Sequence, residues 1–527
     1  MTVSLGWIRA GIGALVGVLS AGVAVGVGET VAALVRPESA PVIVVGNRFV
    51  RLTPESVKRW AIRNFGTNDK HVLLTGIYVA LAIFAIVVGV LAMRRLWYGL
   101  AGIGLFGAVG VYAALTAPVQ RGSDVIPTLV GTLAALAAMT ALVRAAPRMA
   151  GSPPTGPSDP VTGRPTGHST GWADRRVFLQ GSAAAAGVAV LGGFGGRAAQ
   201  HARFDVAAAR ARVTLPAAVD AAAVPAGADL GKSMIPWQTP NGQFYRIDTA
   251  LTVPQVDPDH WSLRVHGMVD REITLTYADL LARPLIERWI TLCCVSNEIG
   301  GNLVGNARFR GVRLADVLRE AGVHEDSDQL FMTSVDRLTI GAPTKVVMDG
   351  RDAMIAIGMN GVPLPVTHGF PARIVVPGLY GYVSACKWVA DIEATTFAKR
   401  SAYWVQGGWA QQTDIKLAAR IDTPHNAETV AAGRAVAVAG VAWDQHVGVS
   451  KVEVQVDDGA WLPARLATVP STDTWRQWVV AWTPPKPGSY TLRVRATDSV
   501  GTPQNEFVRD VFPSGATGLH TIVVRAR

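Results

Sequence analysis

Four stretches near the amino terminus carry no charged side chain: Ala10–Gly28, Val72–Met93, Leu96–Val119 and Val125–Val143. A bilayer core about 30 Å thick is crossed by a helix of ~20 apolar residues, so each stretch is a candidate span. Buried helices of a soluble domain are the alternative, but four uncharged runs so close together argue against it. The 527 residues are too many for one domain and suit about two to four. Only 17% of them are charged and 49% are hydrophobic, which excludes a disordered chain.

After these runs the composition breaks. Residues 147–172 hold six prolines and five glycines and read as a flexible linker. Within them Gly167-His168-Ser169-Thr170-Gly171 spells the G-x-S-x-G elbow of hydrolases. That elbow requires a strand before the serine and a helix after it, and a Pro/Gly-rich linker offers no such strand. Beyond the linker, Arg175-Arg176-Val177-Phe178-Leu179 precede the uncharged, Ala- and Gly-rich run Gln180–Gly196. Paired arginines before a weakly apolar run resemble a twin-arginine export signal; an ordinary helix with flanking arginines has the same composition. An internal signal escapes cleavage, so residues 173–200 are expected to remain as a fifth membrane anchor.

Five spans place the amino terminus and Arg94-Arg95 inside, as positive residues prefer, and the chain beyond about residue 200 outside. The expected location is therefore the cell membrane, multi-pass, with the second half extracytoplasmic. The same count also puts 36–71 outside. There Arg36, Arg48, Arg51, Lys58, Arg59, Arg63 and Lys70 outnumber Glu38, Glu55 and Asp69, against the rule.

The second half has ordinary globular composition. An exported linker, 201–235, leads into 236–424, where strand-like runs (Trp261–Gly267, Trp289–Cys294, Arg373–Val376) alternate with helix-like ones (Tyr277–Ala282, Leu314–Ala321). This pattern predicts a mixed α+β domain. From 425 to 527 the runs Ala435–Trp443, Val449–Val456, Trp475–Trp482 and Tyr490–Ala496 alternate apolar and polar residues between turns. Short alternating strands at that spacing predict an all-β, immunoglobulin-like sandwich. The membrane domain thus occupies 1–146, and the fold class is multi-domain.

Three cysteines in the whole chain exclude a disulfide-stapled fold and any four-cysteine metal site. Cys293 and Cys294 are adjacent, and neighbouring residues rarely satisfy disulfide geometry. A lone thiol in such a run is ordinarily a small buried apolar group. The surrounding segments point further. Thr239–Arg246, Thr291–Gly301, Gly305–Val312, Met359–Pro377 and Lys387-Trp388, in this order and followed by a sandwich, resemble the sulfite oxidase family of molybdopterin-dependent oxidoreductases, in a membrane-anchored bacterial form.

That resemblance implies a molybdenum–molybdopterin cofactor held by one thiolate, a soft donor suited to the metal. It assigns the ligand to Cys294 and leaves Cys293 to packing. The pterin- and phosphate-binding positions fall on Arg246, Asp336, His368, Arg373, Ala385, Cys386 and Lys387. A buried phosphate needs charge-assisted donors, which the arginines and lysine supply. His368 reads equally as a core histidine bonded to backbone. Arg308 resembles a basic residue facing an oxyanion substrate, and reads equally as a loop charge. Ile299 stands where the family's sulfite oxidases carry a second arginine, and Leu338 stands near the place of their active-site tyrosine. Both departures argue against sulfite as substrate.

The expected function is oxygen-atom transfer on a small-molecule substrate, with electrons exchanged with a separate carrier. No C-x-x-C-H motif is present, so no haem of its own is evident. Two alternatives remain: a sulfoxide-type reductase of the same family, or a non-catalytic membrane-tethered interaction module. The sandwich implies a possible homodimer by resemblance. A net charge of +10 could indicate nucleic acid, but the basic residues are spread along membrane flanks without an aromatic-interleaved stripe, so no nucleic-acid partner is expected.

Overall fold

The computed structural model describes residues 5–65, 69–116, 122–146, 171–203, 205–231, 235–247, 249 and 252–527. The linker, apart from its last two residues, lies outside these residues, and with it Ser169 and all of the elbow except Gly171. The chain divides into two units, Met1–Asp205 with Thr249–Thr252, and Val206–Asp248 with Val253–Arg527.

The first unit is helical: α1 (Leu5–Val35), α2 (Pro41–Leu52), α3 (Glu55–Phe65), α4 (Asp69–Ala92), α5 (Leu96–Leu115), α6 (Ile126–Ala145) and α7 (Gly171–Arg203). Among the described residues, five segments are long and apolar enough to cross a membrane: Trp7–Val35, Val72–Ala92, Leu96–Leu115, Gly122–Ala145 and Arg176–Gly196. Glycine lets these helices meet backbone to backbone. A Cβ at Gly17 of α1 would fall 1.9 Å from the Ala85 carbonyl of α4, and one at Gly89 would fall 2.1 Å from that of Gly13. Such small-residue contact is how helices associate where no hydrophobic drive separates them from lipid. The basic segment 36–71, which a five-span topology would set against the positive-inside rule, includes α2 and α3, of 12 and 11 residues, too short to span. Both are amphipathic, and Phe49, Leu52, Val57 and Trp60 are exposed on them.

The second unit opens with α8 (Val206–Arg212) and holds two mixed sheets, then a sandwich. One sheet runs β1 (Asp220–Ala221), β4 (Ile286–Cys293), β5 (Val304–Arg313), β8 (Met354–Met359), β10 (Arg373–Val375), with β9 (Val362–Pro363) on β8. The other runs β3 (Ile273–Thr276), β2 (Ser262–Gly267), β11 (Val389–Thr395), β6 (Gln329–Ser334), β7 (Thr339–Pro343). Helices α9 (Tyr277–Ala282) and α10 (Leu314–Ala321) lie where the amphipathic runs predict. A reciprocal Thr276–Asp279 capping box starts α9, and left-handed Gly322 ends α10. The sandwich begins at Ala418–Thr423. Its four- and five-stranded sheets close on a core that includes Val438, Val452, Trp478, Leu492 and Val524.

Candidate active site

Antiparallel pairing of β4 with β5 sets Glu287 opposite Arg310, Trp289 opposite Arg308, Thr291 opposite Asn306 and Cys293 opposite Val304. Side chains alternate across a strand, so these residues share one face, and Phe309, Ala307 and Gly305 share the other. The first face meets the sandwich: the Trp475 N–H donates to Thr291 Oγ1 at 2.7 Å. Cys293 opens on that side into a small cavity it shares with Tyr380, Trp443 and Thr517. Cys294 follows the last residue of β4 and is half-buried.

The three thiols differ in their surroundings. Burial pushes the Cys294 thiol up, but the Ser296 N–H and hydroxyl both donate to it, and the Lys387 ammonium opposes the rise as well. Cys293 and Cys386 are buried, and burial drives both thiols well up without such donors. A thiolate is the nucleophilic and metal-binding form, so Cys294 is the thiol these surroundings favour as a ligand. Two phenols lie beside the pair. Tyr245 and Tyr380 are both raised by burial, then by the charges of Cys293 and Cys294. The Tyr245 hydroxyl and the Cys293 carbonyl lie 3.8 and 3.9 Å from the place of a Cβ on Gly381.

On the Phe309 face the cations converge. Arg373, at the start of β10, is 5% exposed, with its guanidinium 5.9 Å from the Phe309 ring centre. Its Nη1 donates to the His368 carbonyl at 3.3 Å, while Nε has no partner. Burial lowers this guanidinium to about 10. His368 packs edge-on against Phe244 and donates from Nε2 to the Asn241 carbonyl at 3.1 Å. Burial first, then the charges of Arg373, Lys387 and Arg246, push its imidazole down to about 4, so it is neutral at pH 7. Gly369 permits the crowding: at φ +111° its missing Cβ would stand 3.1 Å from Arg373 Cβ and 3.2 Å from Lys387 Cα.

Asp336 lies in the turn between β6 and β7, where Ser334 Oγ donates to it at 2.5 Å, and its charge helps raise Cys386. Ala385 and Cys386 take part through backbone: Ala385 N–H donates to Gly381 O, and Ile374 N–H donates to Cys386 O, each at 2.9 Å. The structure therefore gathers Cys294, Arg246, His368, Arg373 and Lys387, with Asp336, Ala385 and Cys386 at the edge. Arg308 is not brought into this group. It stands on the Trp289 face of β5, bonded to buried Glu287 at 3.3 Å and 5.6 Å from the Trp289 ring centre. Ile299 supplies no charge either, since its Cδ1 lies 2.6 Å from the place of a Cβ on Gly518 in the sandwich.

The residues present suit the group the sequence implies. Among the described residues no carboxylate pairs with the Arg373 guanidinium, and a charge buried so is costly unless an anion such as a phosphate reaches it. Sequence comparison agrees. The oxidoreductase molybdopterin binding domain family matches residues 250–404, and the bacterial Ig domain family matches 418–494. Human mitochondrial sulfite oxidase is 30% identical over 271 residues, covering 43% of this chain and 49% of its own length. The uncharacterized oxidoreductase YuiH of Bacillus subtilis is 31% identical over 158 residues, covering 30% of this chain and 76% of its own.

The chain belongs to the sulfite oxidase family of molybdopterin-dependent oxidoreductases. It spans about half the length of the mammalian sulfite oxidases it matches. The crystal structure of the sulfane dehydrogenase SoxCD from Paracoccus pantotrophus aligns with 54% of this chain and 83% of its own, at TM-score 0.47 and 22% identity. Within this family member, sequence reasoning missed Tyr245, Tyr380 and Ser296. Tyr245 adjoins Arg246 in a recognisable segment, but a phenol there reads as a core aromatic until the fold sets it beside the thiols.

Proposed function

We propose that this chain is a membrane-anchored molybdenum oxidoreductase transferring an oxygen atom to or from a small substrate on the extracytoplasmic side. Electrons pass to or from a separate redox carrier. The observation that carries this reading is the convergence of Arg246, Arg373 and Lys387 on neutral His368, next to a thiol supplied with thiolate-stabilising donors. Cys294 is the proposed metal ligand. Arg246, Arg373 and Lys387 would hold the pterin phosphate, with His368, Asp336 and the backbone at Ala385 and Cys386 completing the cradle. The bound group supplies two-electron, oxygen-transfer chemistry that no side chain provides.

The protein's own residues prepare that place. Ser296 and Lys387 favour the charged form of Cys294, and burial of Arg373 makes its charge act at low dielectric. His368 is oriented by the Nε2–H bond to the Asn241 carbonyl, while burial and the neighbouring cations keep it a neutral spacer. Metal and pterin analysis of the purified full chain tests the reading, with about one molybdenum and one pterin per chain expected for a single-thiolate site. Cys294→Ser should lose the metal and Cys293→Ser should keep it. Full metal retention by Cys294→Ser sinks the ligand assignment.

One feature favours the reductive direction. Ile299 offers an apolar side chain turned toward the sandwich where sulfite oxidases offer a cation, so a dianion gains little here. Oxidation of a reduced dye by a neutral sulfoxide is then expected to exceed reduction of an acceptor by sulfite. The opposite ranking removes the reductive reading.

A further inference from the structure

The segment that carries Cys294 closes on itself. Cys294 N–H donates to Leu303 O at 2.9 Å, Asn297 N–H to Cys294 O at 3.0 Å, and Gly301 N–H to Glu298 O at 2.9 Å. Asn297 Oδ1 accepts from the Leu303 N–H at 2.8 Å. These bonds fix the shape of the loop, but nothing in them fixes where the loop sits relative to Arg373 and Lys387.

The sandwich does that. From Ala418–Thr423, Arg420 Nη1 donates to the Gly301 carbonyl at 2.7 Å, while its Nε donates to Asp422 Oδ1 at 2.6 Å. Arg420 is 8% exposed, so its direction is held and its bond to Gly301 is shielded from water. From His520–Ala526, the His520 ring lies flush on Gly300: a Cβ there would fall 2.2 Å from ring atoms Cδ2 and Nε2. That ring is itself oriented, because the Ile421 N–H donates to its Nδ1 at 3.0 Å. Gly300, at φ +72°, is the residue that allows both the turn and the contact. Ile299 adds the third contact, against Gly518, whose carbonyl accepts from Gln504 Nε2 at 2.8 Å. Three consecutive residues, 299 to 301, are thus gripped by separate elements of one domain.

We propose that the sandwich is a positioning clamp for the ligand loop, with Arg420 and His520 as positioning residues that set where the Cys294 sulfur stands. The proposal rests on reading Cys294 as the metal ligand. It gives the C-terminal domain a part in the chemistry, carried by residues outside the cation cluster.

The test uses the full chain carrying Arg420→Ala, Arg420→Lys, His520→Phe or the control Arg476→Ala. Arg476 is a comparable arginine of the same sandwich, donating to the Ala467 and Val449 carbonyls at 2.6 and 2.8 Å and to nothing in the loop. In cofactor-free protein, iodoacetamide labelling mapped by mass spectrometry compares Cys293 with Cys294. Losing one charge-assisted bond should open the loop about tenfold more often and raise Cys293 labelling to match. Cofactor-loaded protein is read by the electron paramagnetic resonance of the Mo(V) state, which reports ligand geometry. Arg420→Ala and His520→Phe should shift that spectrum, Arg420→Lys should restore part of it, and Arg476→Ala should leave it unchanged. Unchanged labelling and spectrum in Arg420→Ala would overturn the clamp, and so would equal changes in Arg476→Ala. If the wild-type chain holds no molybdenum, the ligand reading fails by itself, and the labelling comparison still decides the clamp.

Discussion

Arg373 carries its charge inside the protein with a carbonyl and a phenyl ring for company. An unsatisfied buried donor costs about 1–3 kcal/mol, so cofactor-free protein should be stabilised by Arg373→Met, which fills similar space without the charge. Loaded protein should respond in the opposite sense and lose pterin. Thermal melting of both forms checks this, and a destabilised cofactor-free Arg373→Met would count against an anion site. His520 gives a second residue-level outcome. Its folded pKa of about 4 lies below the ordinary 6.5 because burial disfavours its charged form. The stabilisation is therefore present above pH 6.5 and lost as pH falls toward 4. His520→Phe should flatten part of that decline in melting temperature, and an unchanged slope would contradict the cause. At this scale Cys294 stood out as the proposed ligand because its neighbours spell a recognisable segment. Tyr380, 42 residues further along than Leu338, was not, since only folding brings it to the thiols.

Among elements, those defined by period alone were the readable ones. Tyr277–Ala282 and Leu314–Ala321 follow helical spacing and have capping residues at their ends, and Val449–Val456 alternates from Val452 onward. Strand β5 was hidden because Arg308, Arg310 and Arg313 make it look like a solvated loop. The charges are matched instead: Arg308 and Arg310 share buried Glu287, and Arg313 reaches Asp352 at 2.8 Å. Helix α1 offers a test of element packing. Gly17→Leu would drive a side chain into the α4 backbone at Ala85, and overpacking of this kind costs about 1–3 kcal/mol. Melting of the detergent-solubilised chain should show the loss, whereas Gly11→Leu, with open space around it, should be neutral.

For the molecule as a whole, the number of crossings fixes sides. Four candidate spans separate α3 from the domain after α7, and an even number returns the chain to the same face. Val57 in α3 and Lys486 in the sandwich should therefore share a side, opposite to Arg95. Val57→Cys, Lys486→Cys and Arg95→Cys, each made in a chain with Cys293, Cys294 and Cys386 replaced by Ser and labelled in intact cells with a membrane-impermeant maleimide, read this directly. Reaction of Val57→Cys and Lys486→Cys alone is the expected result; a split between those two means that one helix does not cross. Domain order was legible from composition. The side of the basic segment was not, because the positive-inside rule is a statistical preference for loops, whereas this segment forms the amphipathic helices α2 and α3.

The pairing of β4 with β5 also acts as an address. Because side chains alternate, sliding β4 by a single residue would exchange the places of Cys293 and Cys294, presenting Cys293 to the cations and Cys294 to the sandwich. Thr291 Oγ1–H donates to Asn306 Oδ1 at 3.1 Å, and the buried Glu287–Arg310 pair locks a second rung. Those two rungs encode which of two neighbouring sulfur atoms faces the cation cluster.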